Sequence, residues 1–407
     1  MKNLGIVTTW FERGAAYVSR QYEQLFQNSM NVYIYARGGY YAKGDPNYNR
    51  ENVWWGKESG APVSTSIDIE DMKHWMSEKN IDIVLFNEQS WWPPVLACAE
   101  LPVLCGAYID YYTEETIPFF DAYDFLFCNT RRHYSVFDWH PQAYYIPWGV
   151  DLDLYRPAMR EGDHVLTFFH SCGLSPYRKG TDLLLKAALM VDTDFSLLIH
   201  TQRDLAVLGE ESMRAIEHLR SVGKLEIVER TVPAPGLYNR ADIYVYPSRL
   251  DGLGLTLPEA VASGLAVIAT DHPPMNEFYN NSCGLGVPVS KEYRRQDGYY
   301  WPMVEIDVPA LSERMRSMSK DRCTVNRMKS AARTYAEAEL NWSSRSATLE
   351  NILQEARKRA VAPQVVQSIL QYENERKGWK QKLYNTWPEV VGKLNRVKKR
   401  ISRRSMF

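Results

Sequence analysis

Residues 244–271 read YVYPSRLDGLGLTLPEAVASGLAVIATD. An apolar run ends at Tyr246, and a loop punctuated by glycines follows it. A helix is predicted to begin at Pro258, where the missing N–H of proline costs no hydrogen bond, and to end at Gly264. Residues 265–270 are then predicted to form another buried strand. The order strand, loop, helix, strand is typical of a parallel α/β sheet.

Two carboxylates flank the glycine-rich loop, Asp251 before it and Glu259 in the first turn of the predicted helix. Backbone N–H groups at a helix N-terminus attract anions, so a phosphate is expected near this loop. Because a phosphate would repel carboxylates, the two acids are better suited to bind the hydroxyls of a sugar or a ribose. The alternative is that Glu259 only complements the helix dipole and that Asp251 only shapes a turn.

The composition indicates a two-domain cytoplasmic protein. The chain has 407 residues, a length that exceeds the size of one ordinary domain. Of its residues, 45% are hydrophobic. Its six cysteines show neither C-x-x-C pairs nor metal-ligand spacing, which predicts buried thiols in a reducing compartment. The sequence has no apolar run of about 18 residues, and its start, LGIVTTW, is too short for the apolar region of a signal peptide. Neither a metal nor a cofactor is expected.

The C-terminal tail differs in charge from the rest of the chain. From Arg376 to the end there are eleven Lys or Arg residues and one acid, Glu389, whereas the whole chain has a net charge of −1. The remainder is therefore acidic, which argues against nucleic-acid binding by the body. Residues 383–404 have helical spacing of apolar residues among basic ones, a pattern that suits peripheral contact with an anionic membrane surface. The alternative is a helix packed on the body or on a partner.

The first half alternates predicted strands and helices, and polar residues follow its strands. Residues 4–8 and 31–36 are predicted strands with a helix between them, and residues 37–66 are interpreted as surface loops. A further strand at residues 102–109 ends directly before Asp110. Open α/β sheets bind ligands at the carboxyl ends of their strands, so Asp110 is the best candidate acid in this half. The alternative is that Asp110 caps a helix or shapes a turn.

The second half repeats the same alternation. Arg178 and Lys179 follow a predicted strand at residues 165–169 and precede a helix at residues 181–190, a position that suits a diphosphate. The alternative is a solvated basic loop. Two successive βαβ assemblies, joined near residues 156–163, predict an α/β protein with two Rossmann-like domains that face each other across a cleft.

These motifs together resemble a known family, the retaining group 1 glycosyltransferases of the GT-B fold. Residues 247–271 match that family's frame of an acid, seven residues and a glutamate, with Asp251 in place of the usual first glutamate. IPWGVD at residues 146–151 and SPYRKGTDLLLKAA at residues 175–188 match two further segments of the family. NWSS at residues 341–344 resembles a segment near the end of the second domain.

The resemblance implies an architecture and an activity. Residues 1–157 would form the acceptor domain, and residues 163–358 the domain that binds the nucleotide sugar. A helix at residues 359–380 is expected to cross back to the first domain, and residues 381–407 form the basic tail. The implied reaction transfers a sugar from a nucleoside diphosphate sugar to a hydroxyl of a glycan or a lipid-linked acceptor, with retention of configuration, in bacterial polysaccharide or glycolipid assembly.

The resemblance also implies roles for individual residues. Glu259 is expected to bind the ribose hydroxyls, and Asp251 the hydroxyls of the donor sugar. Lys179, with Arg178, would neutralise the diphosphate leaving group. Asp110 is expected to replace the histidine of the family's first domain, where it would accept the acceptor's proton or orient the donor. Further contacts with the nucleotide sugar are expected from Gly14, Arg230, Gly252, Leu253, Gly254, Leu255 and Thr256.

Two departures from the family pattern leave other interpretations open. The arginine that usually precedes the S-P-x-K-G segment is absent, and Arg178 or Arg249 is expected to replace it. The usual first-domain histidine is also absent. One alternative is therefore a nucleotide-sugar binding protein of the same fold that has lost turnover, and another is a sugar-nucleotide epimerase. A phosphorylase is disfavoured because the sequence shows no lysine site for pyridoxal phosphate.

Overall fold

The structure, a computed structural model, describes residues 1–37, 40–57, 59, 63–158 and 165–386. Of the predicted basic tail at residues 381–407, residues 387–407 lie outside the described residues. The amphipathic helix over residues 383–404 and its contact with a membrane therefore stay predictions. Within the described residues, no helix combines the length and the apolar character that a bilayer span requires.

The first domain is a seven-stranded sheet with helices packed against it. Its strands are β1 (Asn3–Thr9), β2 (Asn31–Arg37), β3 (Val53–Trp55), β4 (Ile83–Asn87), β5 (Leu104–Tyr108), β6 (Phe125–Cys128) and β7 (Ala143–Tyr145). Its helices are α1 (Gly14–Phe26), α2 (Ile69–Glu78), α3 (Pro93–Ala99) and α4 (Arg131–Phe137). The spatial order is β3-β2-β1-β4-β5-β6-β7, and all neighbouring strands are parallel.

The second domain contains a six-stranded parallel sheet and a separate hairpin. Its strands are β8 (Thr167–Gly173), β9 (Ser196–Thr201), β10 (Leu225–Glu229), β11 (Ile243–Tyr246), β12 (Ala266–Thr270), β13 (Gly284–Val287), β14 (Val289–Tyr293) and β15 (Met303–Ile306). Its helices are α5 (Thr181–Leu189), α6 (Glu210–Ser221), α7 (Thr256–Ala262), α8 (Val308–Lys320) and α9 (Arg322–Glu339). The sheet order is β10-β9-β8-β11-β12-β13, whereas β14 and β15 pair antiparallel with each other.

Strands β4, β11 and β12 are buried along their whole length. The sequences IVLFN of β4, IYVY of β11 and AVIAT of β12 are nearly continuous apolar runs, and every residue in them is buried. Parallel sheets covered by helices on both faces require such runs, since neither face meets water. This pattern places each of the two sheets in the core of its domain.

The two crossings of the chain between the domains pair with each other. The Val150 N–H donates to the Leu340 carbonyl at 2.8 Å, and the Trp342 N–H donates to the Val150 carbonyl at 3.2 Å. A Cβ atom on Gly149 would lie 2.6 Å from the Leu340 carbonyl oxygen, so only glycine permits this close approach. Residues 146–151 thus form one half of the interdomain connection, and residues 340–342 form the other.

The return to the first domain begins earlier than the predicted boundary at residue 358. The Trp342 indole N–H already donates to the Gln21 carbonyl of α1 at 3.1 Å. The next helix, α10 (Ser346–Glu355), continues along α1, with the Ser346 hydroxyl 3.3 Å from the Leu25 carbonyl. The last helix, α11 (Pro363–Thr386), holds a buried Glu373 that accepts from the Trp92 N–H at 3.1 Å.

Three further details differ from the sequence interpretation. Residues 37–66, interpreted as loops, contain the edge strand β3. Helix α7 begins at Thr256 rather than at Pro258, because the Leu257 N–H already donates to the Gly254 carbonyl. Cys323 is exposed at the start of α9, whereas the other five cysteines are buried thiols as expected.

Candidate functional site

A cavity of about 790 Å³ lies between the carboxyl ends of the two sheets. The first domain lines it with the loop after β1, with Glu88 after β4 and with Asp110 after β5. The second domain lines it with the loops that follow β8 and β11 and with the start of α7. Because open α/β sheets bind ligands at the carboxyl ends of their strands, this cavity is the candidate functional site.

Asp251 is the centre of a cluster of polar and charged groups in this cavity. Its Oδ1 accepts a hydrogen bond from Arg178 Nη1 at 2.5 Å. Its Oδ2 accepts from Lys179 Nζ at 2.8 Å and from Ser248 Oγ at 2.9 Å, and the Tyr246 hydroxyl donates to the same oxygen. Each carboxylate oxygen has about two acceptor positions. Oδ2 is therefore saturated, whereas Oδ1 keeps one position for another donor.

The same cluster keeps Asp251 ionised. Burial alone would raise the pKa of Asp251, but the charges of Arg178 and Lys179 overcome this effect and hold the pKa well below its usual range. Burial lowers the pKa of Lys179, and the charge of Asp251 acts in the opposite direction. Two cations and one carboxylate leave the cluster with a net positive charge, which suits the binding of a diphosphate.

Glu259 lies in the first turn of α7 and faces the same cavity. Its Oε2 accepts from the Tyr238 hydroxyl at 2.6 Å, and the Tyr155 hydroxyl also bonds this carboxyl group. Burial raises the pKa of Glu259 to about 7, although the two tyrosine hydroxyls lower it. The group therefore ionises near neutral pH, and its ionised form can accept hydrogen bonds from the hydroxyls of a ligand.

Asp110 faces the second domain across the cavity. A Cβ atom on Gly252 would lie 2.0 Å from Asp110 Oδ1, so the carboxyl group packs directly against the glycine-rich loop. Burial, and after it the negative charge of Glu88, raise the pKa of Asp110 to about 7, against the opposing charge of Arg178. The structure thus brings together acids from both halves of the sequence, as the cleft hypothesis requires.

An ion pair that was not predicted from the sequence also lines the cavity. Arg13 precedes α1 and lies 3.2 Å from Glu88, which follows β4. Glu88 has φ of 52°, a conformation that residues other than glycine rarely adopt and that is often found at functional sites. The polar run after β4 was visible in the sequence, but its proximity to Asp110 follows from β4 and β5 being neighbours in the sheet.

Helix α4 of the first domain holds the glycine-rich loop from one side. The His133 Nε2–H donates to the Gly252 carbonyl at 3.0 Å, and His133 Nδ1 accepts from the Tyr112 hydroxyl at 2.9 Å. Burial and the neighbouring charge of Arg132 lower the pKa of His133 to about 3, so its imidazole is neutral. Arg132 in turn donates to the Asp251 carbonyl at 3.3 Å. These contacts tie the two domains together beside the cavity.

The close approach at Gly252 gives a testable prediction. Gly252→Ala is expected to reduce turnover by about tenfold, because the new methyl group would displace Asp110 or hold the domains apart. Nucleotide release from the best nucleoside diphosphate sugar measures the effect, and the melting temperature reports on folding. Gly44→Ala is the control, since a Cβ atom there meets no atom within 4 Å. Unchanged turnover in Gly252→Ala would show that this contact does not govern the site.

Most of the predicted site residues meet in this one cavity. Those that line it are Gly14, Asp110, Arg178, Lys179, Asp251, Gly252, Leu253, Gly254, Leu255, Thr256 and Glu259. Arg230 does not: its side chain is exposed after β10, and its carbonyl accepts from His200 Nε2 at 2.9 Å. Arg249 is buried and bonds both oxygens of Asp182, at 2.6 and 2.7 Å, and it does not line the cavity. Arg178 is the candidate that faces the cavity.

Part of the chain matches a known protein family. Residues 165–294 match the family described as "Glycosyl transferases group 1". A GDP-mannose-dependent monoacylated alpha-(1-6)-phosphatidylinositol monomannoside mannosyltransferase from Corynebacterium glutamicum is 30% identical over 248 residues, which are 55% of this chain and 59% of that protein. The chain therefore matches less than two thirds of the length of this curated relative.

Solved structures confirm the predicted two-domain GT-B architecture. A glycosyltransferase from Rickettsia africae superposes with a TM-score of 0.69 and 16% identity, covering 87% of this chain and 99% of that one. Anabaena Alr3699/HepE, solved in complex with UDP, superposes with a TM-score of 0.67 and 13% identity, covering 87% of this chain and 100% of that one. At such low identities the likeness shows the fold alone.

Proposed function

We propose that this protein is a glycosyltransferase that moves a sugar from a nucleoside diphosphate sugar to a hydroxyl of a glycan or a lipid-linked acceptor, with retention of configuration. Bacterial polysaccharide or glycolipid assembly is the proposed setting. The observation that carries the proposal is that Asp251 and Glu259 line one interdomain cavity and that Asp110 faces them from the other domain. The mannosyltransferase relative and the group 1 family match are consistent with it.

The donor is proposed to lie along α7 and the glycine-rich loop. Glu259 accepts hydrogen bonds from the ribose hydroxyls, and the diphosphate lies between Arg178, Lys179 and the amides of residues 252–256. The donor sugar then reaches Asp251, whose Oδ1 has one acceptor position left for a sugar hydroxyl. Asp251 thereby fixes the position of the donor sugar relative to Arg178 and Lys179.

In the proposed reaction, the bond between the anomeric carbon and the diphosphate oxygen breaks while the acceptor oxygen attacks from the same face. The nucleoside diphosphate leaves, and the acceptor's proton passes to the departing phosphate oxygen or to Asp110. Lys179, Arg178 and the loop amides stabilise the negative charge that develops on the diphosphate. The absence of a metal requirement stays a prediction.

The alternative function is a nucleotide-sugar binding protein without turnover. One observation favours it: Asp251 already accepts four hydrogen bonds from protein groups, which restricts its contact with a donor sugar. Release of nucleoside diphosphate from GDP- and UDP-sugars in the presence of candidate acceptors discriminates the two. Binding of the nucleotide sugar without any release of nucleotide would support the binding protein.

Glu259→Gln tests the donor site directly. The substitution is expected to weaken the binding of GDP or UDP by about 10–100-fold, because hydrogen bonds from hydroxyls to a charged group contribute about 1.5–3 kcal/mol. Calorimetry at pH 8, above the pKa of about 7, measures wild type with Glu259 ionised. The control is Glu226→Gln, which removes an exposed carboxylate paired with Arg240.

The same experiment has an outcome that contradicts the proposal. Nucleoside diphosphates that bind wild type and Glu259→Gln with equal affinity would show that Glu259 does not hold the ribose. The melting temperature supplies an independent readout, since a ligand that binds only the folded protein raises it. This increase is expected in wild type and Glu226→Gln and is expected to be smaller in Glu259→Gln.

A further inference from the structure

The second domain carries a hairpin that lies outside its parallel sheet and reaches the first domain. Residues 294–302 connect β14 to β15. Thr113 and Tyr299 form an isolated antiparallel bridge between the two domains, and the Tyr300 N–H donates to the Tyr112 carbonyl at 3.0 Å. The connecting loop therefore adds a short piece of backbone pairing to the segment that directly follows Asp110.

Side chains fix this loop in place. The Tyr299 hydroxyl donates to the Asp110 carbonyl at 3.1 Å, and the Trp301 indole N–H donates to the Tyr112 hydroxyl at 2.5 Å. The Arg132 guanidinium lies 4.6 Å from the centre of the Trp301 ring, a distance that gives a cation–π interaction. A loop with backbone, hydroxyl and aromatic contacts to the other domain is well suited to form a rigid wall.

Where this wall meets the cavity, it presents an aromatic surface. The rings of Tyr111 and Tyr299 are stacked, with centres 5.3 Å apart and planes 14° apart, and the Arg295 guanidinium lies 5.2 Å from the Tyr299 ring. All three residues line the cavity together with Asp110. Tyr299 is 7% exposed, whereas Tyr111 is 37% exposed. Since Tyr299 covers one face of the Tyr111 ring, the exposed area of Tyr111 lies on its other face and edge.

We propose that Tyr111, supported by Tyr299 and Arg295 of the hairpin loop, is a binding platform for a pyranose ring of the acceptor. The inference rests on the proposed function and adds that the acceptor is a glycoside held by both domains. The apolar C–H face of a sugar ring suits an aromatic face, which carries partial negative charge. The ring would then lie beside Asp110, with a hydroxyl directed toward that carboxyl group.

The position of the platform separates it from the donor site. Glu259, Arg178 and Lys179 hold the proposed nucleotide on the second domain, whereas Tyr111 follows Asp110 on the first domain. Arg295 is half-buried and bonds Asp297, so its charge is largely neutralised at this wall. The platform thus offers aromatic area and hydrogen-bond donors without a strong net charge, which favours a neutral sugar over an anionic group.

Saturation-transfer NMR on the full chain tests the platform, with methyl α-D-mannopyranoside as the probe and saturating GDP or UDP present. Tyr111→Ala is expected to reduce saturation transfer to the glycoside by about 5–10-fold. Tyr111→Phe, which keeps the ring and loses only its hydrogen bond to the Asp297 carbonyl, is expected to stay within about twofold of wild type. Tyr300→Ala is the matched control, because Tyr300 is exposed on the same loop but does not line the cavity.

Absence of saturation transfer from the wild-type protein to the glycoside, or equal transfer from wild type and from Tyr111→Ala, overturns the platform. The nucleotide affinity of each variant is measured in parallel and is expected to be unchanged. Failure of wild type to bind either nucleotide would contradict the proposed function instead, and glycoside binding that depends on Tyr111 would still support the platform. The two hypotheses therefore fail separately.

Discussion

Lys179→Met is expected to reduce the rate of sugar transfer by about 10²–10³-fold, the range found when a preorganised group that stabilises developing charge is removed. The Lys179 side chain is only 11% exposed and its Nζ lies 2.8 Å from both Asp251 Oδ2 and the Tyr246 hydroxyl. Such an ammonium group is held in place before the reaction, so it stabilises the departing diphosphate without reorganisation. The effect should appear mainly in kcat, measured as nucleotide release at saturating donor.

Lys186→Met is the matched control for this variant. Lys186 lies on α5, shortly after Lys179, and its exposed ammonium group pairs with Glu211 outside the cavity. Loss of Lys179 also removes one partner of the buried Asp251, so some loss of stability is expected, although Arg178, Tyr246 and Ser248 still bond the carboxylate. A lower melting temperature with an unchanged kcat would mean that Lys179 only supports Asp251.

The parts of the fold that could be predicted from the sequence are those fixed by local patterns. Residues 243–246 and 265–270 are apolar runs bounded by proline, serine or glycine, and they form β11 and β12 within one residue of the expected bounds. Asp110 can be predicted as a site residue because it directly follows a strand, and the ends of the strands line the cavity. The spacing of apolar residues, the proline, serine or glycine residues that end a run, and the residues that directly follow a strand are all local features. They can therefore be recognised in a single sequence.

The features that escaped prediction depend on residues far apart in the chain. The sequence predicts that Asp251 is available to a ligand, whereas in the structure Arg178 and Lys179 already bond it from the loop that follows β8. The hairpin loop at residues 294–302 has little apolar periodicity, and its role follows from the aromatic contacts that it makes with residues 110–113. Arg249 could not be distinguished from Arg178 by sequence, because its partner Asp182 becomes a neighbour only in the folded protein.

Asp110→Asn is expected to lower kcat by about 10²-fold and to remove a pH dependence of the wild-type enzyme. Burial and Glu88 raise the pKa of Asp110 to about 7, so the carboxylate that accepts a proton or orients the donor is lost as the pH falls through 7. Wild-type turnover should therefore rise between pH 6 and pH 8. The asparagine variant keeps the shape of the side chain but cannot take a proton, so its residual turnover should lose this dependence.

Glu259 could cause the same rise in turnover, since burial raises its pKa to about 7 as well. Glu88→Gln separates the two groups, because the charge of Glu88 acts on Asp110, whereas the charge that acts on Glu259 is that of Lys179. Removing a neighbouring negative charge lowers the pKa of Asp110, so the rise in turnover should move to lower pH. If the rise stays in place in Glu88→Gln and persists in Asp110→Asn, the titrating group is Glu259, and Asp110 has no part in proton transfer.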